Sequence, residues 1–188
     1  MIKLLAVAIA CLVVSVFAED VASQRIIDAV GNFPASQFPA VALVSNANEF
    51  ASGSLISPDF VLTAAHVCTD TNGIPNLPAT TVTLNGTTRN VIRYFVHPTW
   101  QGSPGIPGQS DAALLQLDVP VTTMAPLPIG RHPLAVGSVI TIAGYGYEGT
   151  GTTGTNGTPP PAGTICYGSV QIDSETQDLF RWVFSSSP

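Results

Sequence analysis

Short runs rich in β-branched and aromatic residues recur along this chain at close intervals, and no stretch carries the apolar repeat of a long amphipathic helix. The runs are Ala40 to Ser45, Gly53 to Ser57, Phe60 to Thr63, Thr80 to Leu84, Asn90 to His97, Ala112 to Leu117, Val139 to Gly144, Thr164 to Ile172 and Asp178 to Phe184. Glycine- and proline-rich segments separate them, among them Pro75 to Pro78, Gly102 to Gly108 and Glu148 to Gly163, the last expected as an exposed loop. Many short strands divided by turn signals predict an all-β sandwich or barrel. Strict alternation within Asn90 to His97 would set Val91, Arg93, Phe95 and His97 on one face, against Ile92, Tyr94 and Val96 on the other. Asn85-Gly86-Thr87 and Asn156-Gly157-Thr158 match the glycosylation sequon but are read here as turns.

The N-terminus opens with Lys3, runs through apolar Leu4 to Phe17 and reaches Ala18 just before Glu19 and Asp20. This pattern predicts a secretory signal peptide at residues 1–18 and a secreted, extracellular product. The apolar run is too short to favour a membrane span. The chain beyond Ala18 is large enough for one domain with a real core, or for two small sub-barrels. Lys3 is the chain's only lysine, and 12 acidic residues face five arginines once it is removed. Nucleic acid and anionic membrane surfaces are therefore excluded as expected partners. Removal of the leader also leaves Cys68 and Cys166 as the remaining cysteines, enough for at most one intramolecular bridge.

Few residues can carry chemistry. No H-E-x-x-H or C-x-x-C spacing gathers a metal, so neither a metal site nor a cofactor is expected. A general base working near neutral pH must be His66, His97 or His132, because a Ser–Lys dyad has no lysine to draw on. His66 closes the segment Phe60-Val61-Leu62-Thr63-Ala64-Ala65-His66, in which an apolar strand gives way to two small residues and then the imidazole. Forty-five positions later, Asp111 opens Asp111-Ala112-Ala113-Leu114-Leu115. A carboxylate set behind an imidazole can hold one tautomer and stabilise the imidazolium.

These strings, with Ser52-Gly53-Ser54-Leu55-Ile56-Ser57 ahead of them, resemble the chymotrypsin/trypsin-like serine peptidases. The resemblance implies an all-β double barrel acting on protein or peptide substrates, with His66 as general base then acid and Asp111 as its orienting carboxylate. Arg25-Ile26-Ile27-Asp28-Ala29 resembles the family's activation site. By that likeness, cleavage falls between Arg25 and Ile26, residues 19–25 form a short propeptide, and residues 26–188 form the peptidase domain. Gly144-Tyr145-Gly146 resembles the family's G-W-G turn, and Tyr167-Gly168-Ser169-Val170 resembles the start of the next strand. His97, in Val96-His97-Pro98, is read as structural, and Asp118 as solvated.

The pattern departs from the family at two places. Ala51 and Val67 stand where a disulfide bracketing the histidine would have its cysteines, and Cys68 comes one position late, which leaves Cys68–Cys166 as a possible pairing. No serine occupies the glycine-flanked turn that would present a nucleophile and aim two amides at an oxyanion; Ser169, Ser174 and Ser185-Ser186-Ser187 all lack that setting. The expectation is a truncated peptidase domain with an incomplete second barrel, lacking its C-terminal catalytic segment and inactive by itself. Two other readings stay open: a non-catalytic homologue that binds proteins, and an unrelated β-rich surface or adhesion domain.

Overall fold

The computed structural model describes residues 25–27, 33–46, 50–70, 72–75, 80–103, 109–130, 134–150, 154–155, 163–175 and 180–181. The expected leader at 1–18 lies outside these residues, as do His132 and Ser185 to Ser187. In chain order, β1 (Arg25–Ile27) and β2 (Phe33–Pro34) lead to β3 (Val41–Ser45), β4 (Phe50–Ser57), β5 (Phe60–Thr63), β6 (Thr81–Leu84), β7 (Thr87–Val96) and β8 (Ala113–Leu117). The later strands are β9 (Val139–Gly144), β10 (Tyr147–Thr150), β11 (Gly154–Thr155), β12 (Thr164–Gln171), β13 (Ser174–Glu175) and β14 (Phe180–Arg181).

Six strands close into a barrel in the order β3-β4-β5-β8-β7-β6. Closure leaves none of the six with an open edge. The interior is made by residues that alternate along each strand: Ala42 and Val44 from β3, Val61 from β5, Val82 and Leu84 from β6, and Leu115 and Leu117 from β8, all buried. Each fully buried Val or Leu contributes about 1.5–3 kcal/mol relative to an exposed one. A second sheet, β2-β12-β9, stays open among the described residues. The incomplete second barrel expected from the sequence corresponds to this sheet. Three further strands form the sheet β1-β10-β11, in which β1 runs parallel to β10.

Strand β3 joins the barrel to the second sheet. Its even-numbered Ala42 and Val44 face the barrel interior, whereas Val41 and Leu43 pack with Ala35, Ala143, Tyr145 and Ile165. Successive side chains of a strand point to opposite faces, so one short strand serves both clusters. A hydrogen bond adds to this seam: the Tyr145 backbone N–H donates to the Ser52 hydroxyl at 2.8 Å.

The structure corrects three of the sequence expectations. The alternation expected along β7 changes phase at a bulge, where Val91 pairs with Leu117 and Arg93 with Gln116, leaving Ile92 over. Val91 thereby joins Tyr94 and Val96 against the barrel core, while Arg93 and Phe95 stay exposed. The segment expected as a loop from Glu148 contains part of β10 and all of β11. The Cys68–Cys166 pairing is not made. Both thiols are buried, Cys68 in the barrel core and Cys166 beside Ile142 in the second sheet, so they belong to separate clusters. The turn reading of Asn85-Gly86 fits the structure, in which both residues have positive φ (44° and 79°) and connect Leu84 directly to its partner Thr87. This is the backbone of a two-residue type I′ hairpin.

Gly53 is required for a different reason. A Cβ placed there would lie 2.7 Å from Val61 Cγ1 and 3.0 Å from the Leu62 carbonyl oxygen. Gly53→Ala is therefore expected to destabilise the barrel by about 1–3 kcal/mol through overpacking, read as a lower urea midpoint at unchanged m-value.

Candidate active site

Strands β5 and β8 lie side by side and antiparallel, with Thr63 opposite Ala113. The chain leaving β5 and the chain entering β8 therefore meet at the same end of the barrel. Past Thr63, Ala64 and Ala65 are buried, and a single 3₁₀ turn, His66–Cys68, carries the histidine. Side chains as small as these let the turn seat directly on the core, where Val67 and Cys68 are buried below it. The Thr63 hydroxyl donates to the Ser52 carbonyl at 3.0 Å, and Asn46 Nδ2 donates to the Val67 carbonyl at 3.0 Å.

The structure brings His66 and Asp111 together. Asp111 Oδ2 lies 2.6 Å from His66 Nδ1, and Asp111 Oδ1 accepts the His66 backbone N–H at 2.9 Å. One carboxylate thus holds the ring and the main chain of one residue. An ionised carboxylate can only accept, so Nδ1 carries the proton and Nε2 is left as the acceptor. The histidine side chain is 30 % exposed and the aspartate 16 %, which keeps the carboxylate drier than the imidazole. Less water around the carboxylate strengthens its hold on the ring.

The other candidates fall elsewhere. Arg25 and Ile26 lie in β1, opposite Tyr147 and Glu148 of β10. His97 Nδ1 contacts the Thr99 hydroxyl at 2.9 Å, in the turn after β7. Asp118 sits at the opposite end of β8 and is exposed, yet its two oxygens accept Asn90 N–H at 3.1 Å and Asn90 Nδ2–H at 2.8 Å. Among the described residues no group of three His, Cys, Asp or Glu could hold a metal, and no helix is long and apolar enough to cross a membrane.

Sequence reasoning missed the polar groups behind the pair. Thr69 Oγ1 donates to the Ala65 carbonyl at 3.1 Å and accepts Trp100 Nε1–H at 2.8 Å, and Thr99 Oγ1 accepts the Ser110 N–H at 2.9 Å. No local pattern marks Thr69, and the one available hint was that the indole N–H of Trp100, if buried, would need a partner.

The trypsin family profile matches residues 29–172, most of the chain and the whole of the closed barrel. The chain belongs to the trypsin family. This overturns the reading as an unrelated adhesion domain. Among characterised relatives, the thrombin-like enzyme acutin of Deinagkistrodon acutus is 33% identical over 112 residues, 56% of this chain and 47% of acutin. Snake venom serine proteinase 8 of Crotalus adamanteus is 35% identical over 112 residues, covering 56% of this chain and 42% of that protein. The aligned part thus spans under half the length of these relatives. Neuropsin, a serine protease of mouse brain, superposes with a TM-score of 0.63 at 21% identity, over 79% of this chain and 66% of neuropsin. This likeness identifies the fold as chymotrypsin-like.

Asp118 offers a test of the far end of β8. The Asn90 side-chain amide holds the Asp118 carboxyl below its ordinary value, outweighing a smaller opposing effect of burial. A carboxyl lowered on folding adds stability that is present above its unfolded value and lost as pH falls through the folded one. Asn90→Ala is expected to raise the Asp118 titration toward 3.8 in a carboxyl ¹³C NMR series. Asp70, held low by the Ile74 and Asn72 backbone N–H groups, should titrate unchanged in the same spectra.

Proposed function

We propose that this chain carries the general base and orienting carboxylate of a secreted serine endopeptidase, with His66 as base then acid and Asp111 as its anchor. The observation that carries the reading is the 2.6 Å contact of His66 Nδ1 with Asp111 Oδ2, with His66 N–H on the second oxygen. In the reaction this pair serves, Nε2 takes the proton of an attacking hydroxyl, the hydroxyl oxygen forms an acyl bond to the substrate, and Nε2 then protonates the leaving amine. Water repeats the sequence to release the acid. The carboxylate stays ionised throughout and stabilises the imidazolium.

The 188 residues supply no serine in a glycine-flanked turn, so they do not hydrolyse peptides by themselves. Loss of a nucleophile from such a unit removes about 10⁶ of turnover. Proteins and peptides are the substrates of the complete catalytic unit, and export to the extracellular space accords with the leader-like sequence at residues 1–18 and with a relative named as a snake venom serine proteinase. Activation by cleavage between Arg25 and Ile26 requires β1 to leave β10 first, because a bond within a paired strand does not fit a protease cleft. The retained ring–carboxylate contact favours this reading over a homologue that only binds proteins.

A fluorophosphonate probe is expected to leave the purified chain unlabelled, with no turnover of peptide esters; stoichiometric labelling of a serine would overturn the chain's inactivity by itself. In a form of the chain completed with a glycine-flanked serine, Asp111→Asn should lower kcat by about 10⁴, the penalty known for triads of this type, with little change in KM. A loss of less than tenfold would show that Asp111 is not the anchor.

A further inference from the structure

The peptide unit joining Ala65 to His66 is gripped from both sides. On its N–H side, Asp111 Oδ1 accepts at 2.9 Å. On its carbonyl side, the Ala65 oxygen accepts the Cys68 N–H at 2.9 Å and the Thr69 hydroxyl at 3.1 Å. The Thr69 oxygen in turn accepts Trp100 Nε1–H at 2.8 Å, so its own proton is directed at the Ala65 carbonyl. Trp100 is buried, with its ring in the barrel core. The residue before it, Thr99, accepts the Ser110 N–H at 2.9 Å, and Ser110 is the immediate neighbour of Asp111. Two more main-chain bonds fix this segment, from His97 N–H to the Ala112 carbonyl and from Trp100 N–H to the His97 carbonyl, each 2.9 Å.

These bonds form a ring. It runs from Trp100 through Thr69 to the Ala65–His66 peptide, across to Asp111, and back through Ser110 and Thr99 to Trp100. Hydrogen bonds in series polarise one another, so a carbonyl that accepts two donors makes the N–H of the same peptide a better donor. The turn His97–Trp100 is also bonded at once to Thr69, just past the histidine turn, and to Ser110 and Ala112, on either side of Asp111, which ties the histidine turn and the aspartate to one segment.

We infer that Thr69 and Trp100 are positioning residues for the His66–Asp111 pair, acting through the Ala65–His66 peptide and not through contact with substrate. The inference rests on the catalytic reading of that pair. A hydroxyl that merely satisfied a buried carbonyl would affect stability alone. A positioning hydroxyl must alter the ring-to-carboxylate hydrogen bond as well, and this difference can be measured without turnover.

The test is NMR of the intact chain labelled at histidine nitrogen, following the His66 Nδ1–H proton and the ring tautomer. In the wild type, a downfield Nδ1–H resonance in slow exchange with water is expected. Thr69→Val, which keeps the shape and removes the hydroxyl, should speed its exchange about fivefold and shift it upfield. Thr69→Ser should restore the wild-type signal. Trp100→Phe removes the donor nitrogen but keeps an apolar ring, and should show a smaller change in the same direction. Asp111→Asn serves as the reference and should abolish the resonance. If Asp111→Asn changes the signal while Thr69→Val and Trp100→Phe fold and leave it as in the wild type, the positioning role is overturned and the catalytic pair stands. If Asp111→Asn leaves it unchanged, the pair itself is overturned. Unfolding of both Thr69→Val and Trp100→Phe would also overturn the inference, since the two contacts would then serve the fold alone.

Discussion

The antiparallel register of β5 against β8 sets everything at the end of the barrel that carries His66 and Asp111. With Thr63 opposite Ala113, Val61 and Leu115 are paired and both point into the core, while the chain ends beyond them carry His66 and Asp111. A slip by one residue would turn Val61 or Leu115 out to solvent and carry Asp111 about 3.3 Å along the strand axis, beyond reach of the imidazole. Burial and site geometry therefore select the same register. The hydrophobic term is the larger of the two, and the polar site depends on it.

The same economy appears at β3 and Ser52. Val41 and Leu43 pack on the second sheet, while Ala42 and Val44 fill the barrel. The Ser52 carbonyl accepts from Thr63, three residues before the histidine, and its hydroxyl accepts from Tyr145 at the end of β9. One residue of β4 thus ties the strand leading to His66 and the second sheet to a single point. A displacement of the second sheet would be felt at that strand through one buried hydrogen bond, which is costly to leave unmade.

Much of this was legible in the sequence because the longer strands show their own pattern. Phe60 to Thr63 of the barrel and Val139 to Gly144 of the second sheet fall where the apolar runs placed them, and Ala112 to Leu117 differs by one residue. The strands that escaped notice are short: β1, β2, β11 and β13 have two or three residues each and β10 has four, and β1 and β2 exist only through distant partners. The β7 bulge was hidden for a related reason: Val91 faces inward because Leu117 lies opposite it, and nothing within Asn90 to His97 encodes that. His66 and Asp111 were readable because each ends a recognisable string. Thr69 and Trp100 were not, since their importance comes from a contact across 31 residues of sequence.

The outlying polar groups also explain how a partly exposed pair can be held in one geometry. An exposed ion pair is ordinarily worth little, because two side chains must be ordered against water and screening. Here the ordering cost is carried mainly by the fold. The carboxylate comes directly after a segment bonded to Thr99, the imidazole rises from a turn seated on buried Val67 and Cys68, and the intervening peptide is bonded on both its carbonyl and its N–H. Little freedom is left for either side chain to lose when the 2.6 Å contact forms. The pair is thus preorganised by main-chain and buried contacts, and its alignment does not depend on a bound ligand.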